Sequence, residues 1–453
     1  MPATISKIIK RDGSAVNFDA NKITAAIDKA FRAVGEKDGI KAKKITNNVI
    51  KLLAKKFGPK KHPNVEEVQD AVEKVLIDND YSRVAKAYIL YRQKRSDLRL
   101  EKARILEKDV IDEVDKRFDS NALRVLKSRY LRNDENGKLV ETPKELFTRI
   151  AVHIALPDLF YDDMVFDKSA KSAEHPKEEF DHIQHATKLS IGKYKLNKYH
   201  LEALKRMYDR FNTEKKMKVS WEKVLELLKK NEFNKYEKNI DEYYNSMVTR
   251  KFMPNTPAIV NFGNPLGMGS ACFVIDVEDS IDGIMDSLKS ASIIFKAGGG
   301  VGYNFSKLRP EGDFVKTTHR ISSGPVSFMQ LFDAMTDTIK QGGVRRGANM
   351  GIMNISHPDI EHFITAKQGN KALRNFNISV LVFPDFWDYY KKNKPYPLIN
   401  PRNGQIVKHV DPKELFDRIC YQAWESAEPG VIFFDHVNKY NPFLKGLGPI
   451  VTT

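Results

Sequence analysis

Phe252-Met253-Pro254-Asn255-Thr256-Pro257 opens the part of the chain that decides its fold. It leads to an isolated cysteine in Gly269-Ser270-Ala271-Cys272-Phe273-Val274 and then to a glycine run, Gly298-Gly299-Gly300-Val301-Gly302-Tyr303-Asn304. It closes on Gln341-Gly342-Gly343-Val344-Arg345-Arg346-Gly347-Ala348-Asn349-Met350-Gly351. Around it lie short apolar segments: Ala258-Ile259-Val260, Cys272-Phe273-Val274-Ile275, Ser379-Val380-Leu381-Val382-Phe383 and Val431-Ile432-Phe433-Phe434. Read as strands, they alternate with helical patterns over 281–296, 325–340 and 413–427. Such alternation argues for an α/β domain with a largely parallel sheet or barrel. Ligands are then expected at the C-terminal ends of the strands.

The glycine run lacks the spacing of a dinucleotide fingerprint, and no Gly-Lys-Ser/Thr follows it as in a P-loop. It would let a ligand touch backbone directly, or it is a structural turn. Gln341 to Gly351 reads as a glycine-laced loop that can carry Arg345 or Arg346 to a phosphate or base, or as a solvated basic loop. His357-Pro358-Asp359-Ile360-Glu361-His362 has the wrong spacing for a zinc motif. Ser356 or His357 capping a helix, with Pro358 and Asp359 in the first turn, explains it better, and no metal site is expected. Cys420 shares an amphipathic pattern with Phe416, Ile419 and Trp424 and reads as core.

Towards the N-terminus, Ile8-Ile9 and Ala15-Val16 flank Lys10-Arg11-Asp12-Gly13, a tight hairpin signal. Asp19 caps a helix with the stripe Ile23, Ile27, Ala30, Phe31 and Val34. Further stripes run through Ile45, Val49 and Leu53, through Val65, Val68, Val72 and Val75, and from Val84 to Tyr91. Lys10, Arg11 and Lys22 at one end of this bundle can hold phosphates; a basic surface turn is the alternative. Residues 96–250 are helical and highly charged. They are interrupted by a loop over 132–138 and a polar surface segment over 167–177.

The net charge of +16 fits a lysine-rich solvated surface or a polyanion partner. The basic residues are spread along helices, which favours nucleotides over nucleic acid. Only Cys272 and Cys420 are present, with no Cys-x-x-Cys, which excludes a zinc knuckle and fits a reducing cytosol. No signal peptide and no membrane-length apolar run occurs, so a soluble cytoplasmic protein is expected.

Ile8 to Gly13, Phe18-Asp19, Lys22-Ile23 and Ala85-Lys86-Ala87-Tyr88-Ile89-Leu90-Tyr91-Arg92 resemble the ATP-cone, an allosteric nucleotide-sensing domain. The resemblance implies ATP or dATP binding by Ile8, Lys10, Arg11 and Lys22. Where the family often carries a histidine on the third helix, this chain has Gln69. The central motifs resemble the catalytic subunit of ribonucleotide reductase, together with Val277-Glu278-Asp279-Ser280, Ser323-Gly324-Pro325-Val326-Ser327-Phe328 and Ala427-Glu428-Pro429-Gly430. Arg345 to Gly351 with Ser356-His357-Pro358-Asp359-Ile360 is most similar to the class II, adenosylcobalamin-dependent enzymes.

This resemblance implies an ATP-cone over 1–95, a helical domain over 96–250 and the first part of a ten-stranded α/β barrel over 251–453. It implies thiyl-radical reduction of a ribonucleotide, with electrons from two cysteines that close a disulfide. Cys272 is implied as one of that pair, and Thr256, Ala271, Gly299 and Gly300 as substrate lining. Asp279, Ser280, Ile281 and Arg309 match a deoxynucleotide (dNTP) specificity-effector site at a dimer interface. Gln341 and Arg345 match the loop that passes effector identity to the substrate. A thioredoxin-like or dithiol reductant and a homodimer are implied partners, with no membrane and no nucleic acid.

In the family an Asn-Pro-Cys-Gly-Glu segment with the radical cysteine and catalytic glutamate follows the position of Thr453. The chain is therefore expected to be the front portion of a reductase (a split-gene product, a truncated product or the part preceding an intein), inactive without a complementary C-terminal polypeptide. Two alternatives stand beside this. One is a class I large subunit served by a metal-containing, radical-generating partner. The other is a non-catalytic nucleotide-binding regulator, for which the absence of a zinc ribbon argues against a DNA-binding form.

Overall fold

Asp12-Gly13 turns the chain between β1 (Lys7–Ile9) and β2 (Ala15–Asn17), an antiparallel pair with Ile8 opposite Val16. Gly13 takes a φ of 81°, which a residue without a Cβ adopts freely. In this computed structural model, residues 5–58, 61–315, 320–341, 345–370 and 372–452 are described. They divide into two compact units, 1–147 and 148–453.

In the first unit four helices follow the hairpin: α1 (Ala20–Ala33), α2 (Gly39–Phe57), α3 (Val65–Asp78) and α4 (Ser82–Ile105). Asp19 caps α1 by accepting from the Asn21 amide, and Asn64 and Glu67 close a capping box on α3. Most of the expected stripe positions form the core, with Ile27, Phe31, Val49 and Leu53 fully enclosed, while Ile89, Leu90 and Tyr91 at the end of the last stripe are exposed. Each enclosed side chain contributes roughly 1.5–3 kcal/mol. Beyond Tyr88, α4 leaves that core. Its Lys102 ammonium donates to the carbonyls of Asp115 and Lys116, each at 3.3 Å, at the end of α5 (Glu113–Arg117). A cation there complements the helix dipole. α6 (Ser120–Arg129) follows, and α7 (Pro143–Phe160) begins in this unit and ends in the next.

The second unit continues through α8 (His182–His185), the hairpin β3 (Ser190–Ile191) and β4 (Tyr194–Lys195), then α9 (Lys198–Thr213), α10 (Trp221–Lys229) and α11 (Glu237–Val248). Next come α12 (Thr256–Asn261), β5 (Cys272–Asp276), α13 (Ile281–Lys296) and β6 (Gly300–Asn304). The short pair β7 (Phe314–Val315) and β8 (Arg320–Ile321) precedes α14 (Gly324–Thr338). A second short pair follows, β9 (Lys340–Gln341) and β10 (Arg345–Arg346), then β11 (Asn349–Asn354), α15 (Ile360–Thr365) and β12 (Phe376–Val382). Last are α16 (Pro384–Lys392), the hairpin β13 (Tyr396–Ile399) and β14 (Ile406–Val410), α17 (Pro412–Ser426), β15 (Gly430–Phe433), α18 (Phe434–Lys439) and α19 (Leu444–Leu447).

Five of these strands form one wholly parallel sheet in the order β15-β12-β11-β6-β5. The inner strands are buried on both faces, as a parallel sheet covered by helices requires. Edge strand β5 alternates instead, with Phe273 and Ile275 turned towards the core and Cys272, Val274 and Asp276 exposed.

Four expectations are corrected. Ala258-Ile259-Val260 is helix α12: the Asn255 side chain accepts from the Ala258 amide and Pro257 sits in the first turn, so local capping overrides the apolar triplet. The glycine run divides, with Gly298 in a turn at φ 85° and strand β6 starting at Gly300; Asn349 to Gly351 begins strand β11 rather than ending a loop. Cys420 is exposed on α17, whose core face is Leu415, Ile419 and Gln422; Trp424 is 80% exposed. The helix after His357 starts only at Ile360, with Asp359 at its N-cap and no side-chain capping bond. Among the described residues no helix is long and apolar enough to cross a membrane, and no group of three metal-ligating side chains converges.

Candidate functional site

At the N-terminal ends of β5 and β6, Cys272 stands opposite Gly300, and the Gly300 amide donates to Ala271 O at 2.7 Å. Cys272 is a free, exposed thiol. The turn into β6 is tight because α13 ends directly beneath it, with the Gly299 amide donating to Ile294 O at 3.0 Å. A Cβ on Gly299 would lie 2.5 Å from Ile294 Cγ2 and 3.0 Å from the Phe273 ring. Thus at Gly299 the close approach that demands glycine is made by the protein's own side chains.

Thr256 starts α12, and the far end of that helix is tied to this end of the sheet through Asn261, a residue that the sequence reading missed. Asn261 is buried, and its amide donates to Met268 O at 3.1 Å and Ala297 O at 3.3 Å. One side chain thereby ties α12 to the loop before Cys272 and to the turn before Gly299. Three residues from α7 and α9 fix the same, C-terminal end of α12. Arg149, almost fully buried, donates to the carbonyls of Phe262 and of Ile259, the latter at 3.3 Å. His153 accepts from the Gly263 amide at 3.1 Å and stacks on Phe262, and His200 contacts Arg149 O at 3.0 Å. Gly263 has a φ of 68°, and a Cβ there would strike His200 Nε2 at 2.6 Å. Burial, and next the charge of Arg149, pushes His153 down to about 4, so it is neutral near pH 7.

This cluster corrects one expectation by position. The residues brought together lie at the N-terminal ends of the strands, not the C-terminal ends. The C-terminal ends are crossed by the last described residues, where Asn304 donates to Val451 O at 2.7 Å. Beside them is a cavity of about 520 Å³ lined by Asp276, Ser306, Lys307 and Asn354.

The effector candidates also assemble. The Arg309 guanidinium Nε lies 2.9 Å from Asp279 Oδ2, and its backbone amide donates to Oδ1 at 3.1 Å. Ser280 caps α13 through the Gly283 amide at 3.0 Å, leaving Ile281 exposed at 60%. His357 and Asp359 explain why Arg309 is held there. His357 Nε2 donates to Leu308 O at 2.9 Å, while its Nδ1 accepts the Asp359 amide at 3.1 Å. Asp359 in turn accepts the Glu311 amide at 2.9 Å. Its carboxylate is committed to that loop, which is why it caps no helix. Burial pushes His357 down and Asp359 up. The backbones of Gln341 and Arg345 pair across β9 and β10. Their side chains, and Gly342-Gly343-Val344, lie outside the described residues.

In the first unit, the Ile9 amide donates to Pro63 O at 3.0 Å, which sets the hairpin against the start of α3. Ile8 is half-buried, and Lys10 and Lys22 are exposed. Arg11 is engaged: its Nε donates to Glu66 at 2.7 Å and its Nη2 reaches Gln69 at 3.4 Å.

Three family models match the chain: the ATP cone domain over 6–97, the ribonucleotide reductase all-alpha domain over 116–267 and the ribonucleotide reductase barrel domain over 270–453. The chain belongs to the ribonucleotide reductase family, with an ATP-cone at its front. It is 40% identical to a vitamin B12-dependent ribonucleoside-diphosphate reductase of Thermoplasma acidophilum, over 99% of this chain and 56% of that protein. It is 33% identical to the enzyme of the same description in Mycobacterium tuberculosis, over 99% of this chain and 53% of that protein. It is 24% identical to a ribonucleoside-diphosphate reductase subunit alpha of Chlamydia pneumoniae, over 96% and 52%. The chain spans about half the length of the curated relatives it matches.

Proposed function

We propose that these residues serve the reduction of ribonucleotides to deoxyribonucleotides, in an adenosylcobalamin-dependent enzyme regulated by ATP and deoxynucleotides. The observation that carries this is the free thiol of Cys272, exposed at the strand edge and tied through Asn261 to the helix bearing Thr256. In the overall step the C2′–O bond breaks, the hydroxyl leaves as water with one thiol hydrogen, the other thiol hydrogen takes its place on C2′, and the two sulfurs join as a disulfide. Cys272 supplies one of them. Thr256, Ala271, Gly299 and Gly300 line the ribonucleotide; the Gly299 and Gly300 amides are paired within the chain, so they shape that lining rather than donate to the substrate. A dithiol or thioredoxin-like protein restores the thiol pair.

Adenosylcobalamin supplies the initiating radical when bound. Thr256, Ala271, Gly299 and Gly300 line the substrate and Cys272 reduces it, so the cofactor is not assigned to the residues of this edge. The B12-dependent relatives at 40% and 33% identity favour this class over the subunit alpha at 24%. The substrate is a ribonucleoside diphosphate, as in those relatives' descriptions. Asp279, Ser280, Ile281 and Arg309 form the specificity-effector site at a homodimer interface, and Gln341 and Arg345 relay its state to the substrate. Residues 1–95 bind ATP or dATP, 96–250 form the helical domain and 251–453 begin the catalytic barrel, in a cytoplasmic enzyme. The test is deoxynucleotide formation by the active enzyme carrying these residues, with and without adenosylcobalamin. Turnover that ignores the cofactor overturns the reading.

A further inference from the structure

Glu66 occupies a singular position in the first unit. Its Oε1 accepts Arg11 Nε at 2.7 Å and its Oε2 accepts Arg92 Nη2 at 2.8 Å, so one carboxylate bridges the hairpin tip and α4. Arg92 has two further partners, Asp70 and Glu73, each at 2.7 Å on its Nη1. Arg11 has no further carboxylate among the described contacts; its other partner is the neutral Gln69. A further guanidinium is near: the charge of Arg11 acts on Arg99, whose pKa burial first and Arg11 next push down. For Glu66, burial raises the carboxyl, but hydrogen bonds from Arg92 and then Arg11 outweigh it and leave it below the usual range.

We propose that Glu66 is a built-in competitor for Arg11, an internal anion that the phosphates of an incoming nucleotide must displace. This rests on the reading that the hairpin end of the bundle binds ATP. A guanidinium suits a carboxylate and a phosphate by the same planar fork, so one cannot be gained there without losing or repelling the other. Glu66 therefore lowers nucleotide affinity and sets a threshold concentration for ATP. Arg92 keeps Asp70 and Glu73 after Glu66 lets go, so release costs α4 little. The exchange is local to Arg11, with Gln69 left beside it.

The test is ATP titration by calorimetry on the 453-residue chain, with Arg11→Ala identifying which binding event belongs to the hairpin. Glu66→Gln keeps shape and hydrogen-bonding capacity but removes the charge. It should tighten that event about fivefold, the effect of an ion pair worth ~1 kcal/mol. Glu73→Gln removes a carboxylate from Arg92 but none from Arg11, and should leave affinity within about twofold of wild type. Unchanged or weaker binding by Glu66→Gln, with an unchanged melting temperature, overturns the proposal, as does equal tightening by both variants. Should Glu66→Gln fail to fold, Glu66→Asp keeps the charge but shortens its reach to Arg11 and should also tighten the event; unchanged binding by that variant overturns the proposal. Wild-type protein that shows no event sensitive to Arg11→Ala at millimolar ATP contradicts instead the nucleotide reading beneath it.

Discussion

Cys272 faces Gly300 across the first rung of the ladder between β5 and β6, and Asn261 secures both flanking loops. A thiol on an edge strand has neighbours on one side only, so it is open to a substrate while its backbone is fixed. The precision of this edge depends on Gly299. Adding a Cβ there forces Ile294 or Phe273 to move, and overpacking of this kind costs about 1–3 kcal/mol. Gly299→Ala is expected to lower the chemical-denaturation midpoint accordingly, whereas Gly446→Ala, in open surroundings and without a positive φ, should not.

His153 makes the second unit sensitive to acid. Its folded pKa of about 4 lies below the ordinary value of 6.5, so between those limits the unfolded chain binds the proton first. The stability it contributes is complete above pH 6.5 and is lost as pH falls towards 4, by up to about 3 kcal/mol. His153→Asn retains an acceptor for the Gly263 amide and cannot titrate. Urea melts between pH 7 and pH 4 should show a shallower loss in that variant; an equal loss counts against His153 as the source.

Arg309 meets Asp279 with both side chains about one quarter exposed, 23% and 25%. Such a pair contributes about 1 kcal/mol or less to folding. As an effector contact it contributes more, since a charge-assisted hydrogen bond to a phosphate contributes ~1.5–3 kcal/mol. Arg309→Ala should therefore weaken deoxynucleotide effector binding about ten- to hundredfold by calorimetry while shifting the melting temperature little. A large loss of stability with unchanged effector affinity would reverse the assignment.

Cys420 and Cys272 are both exposed, so both should react with a thiol reagent in the folded protein. Cys420→Ser is expected to change stability by no more than about 0.5 kcal/mol. Reaction of Cys420 only after unfolding would restore the core placement that the helix periodicity suggested.

Where local signals and tertiary demands agreed, the fold was legible. Asp12-Gly13 wrote the hairpin, the helical pattern over 281–296 marked α13, and the apolar segment Ser379 to Phe383 marked β12. A short apolar triplet misled where capping decided: Ala258-Ile259-Val260 follows the capping side chain of Asn255, so it coils. Gly300 to Asn304 hid because glycine favours no strand by itself; pairing with β5 and β11 on either side makes it one. On α17, Cys420 adjoins the buried Ile419 yet lies about 100° further round the helix, outside the core stripe. Asn261, Arg149 and His153 were silent because their partners are remote; Arg149 and Ile259 are 110 residues apart. The candidate residues themselves were readable only through family resemblance, and their gathering at the N-terminal strand ends was not.

The central claim is that Cys272 gives up its hydrogen as a ribonucleotide is reduced. Pre-reduced active enzyme carrying these residues should be given one turnover with ribonucleotide and adenosylcobalamin but no external reductant, then alkylated and mapped by mass spectrometry. Cys272 should change from alkylated to protected in proportion to deoxynucleotide formed, and Cys420 should remain alkylated throughout. Deoxynucleotide formed with Cys272 still fully alkylated would contradict the account.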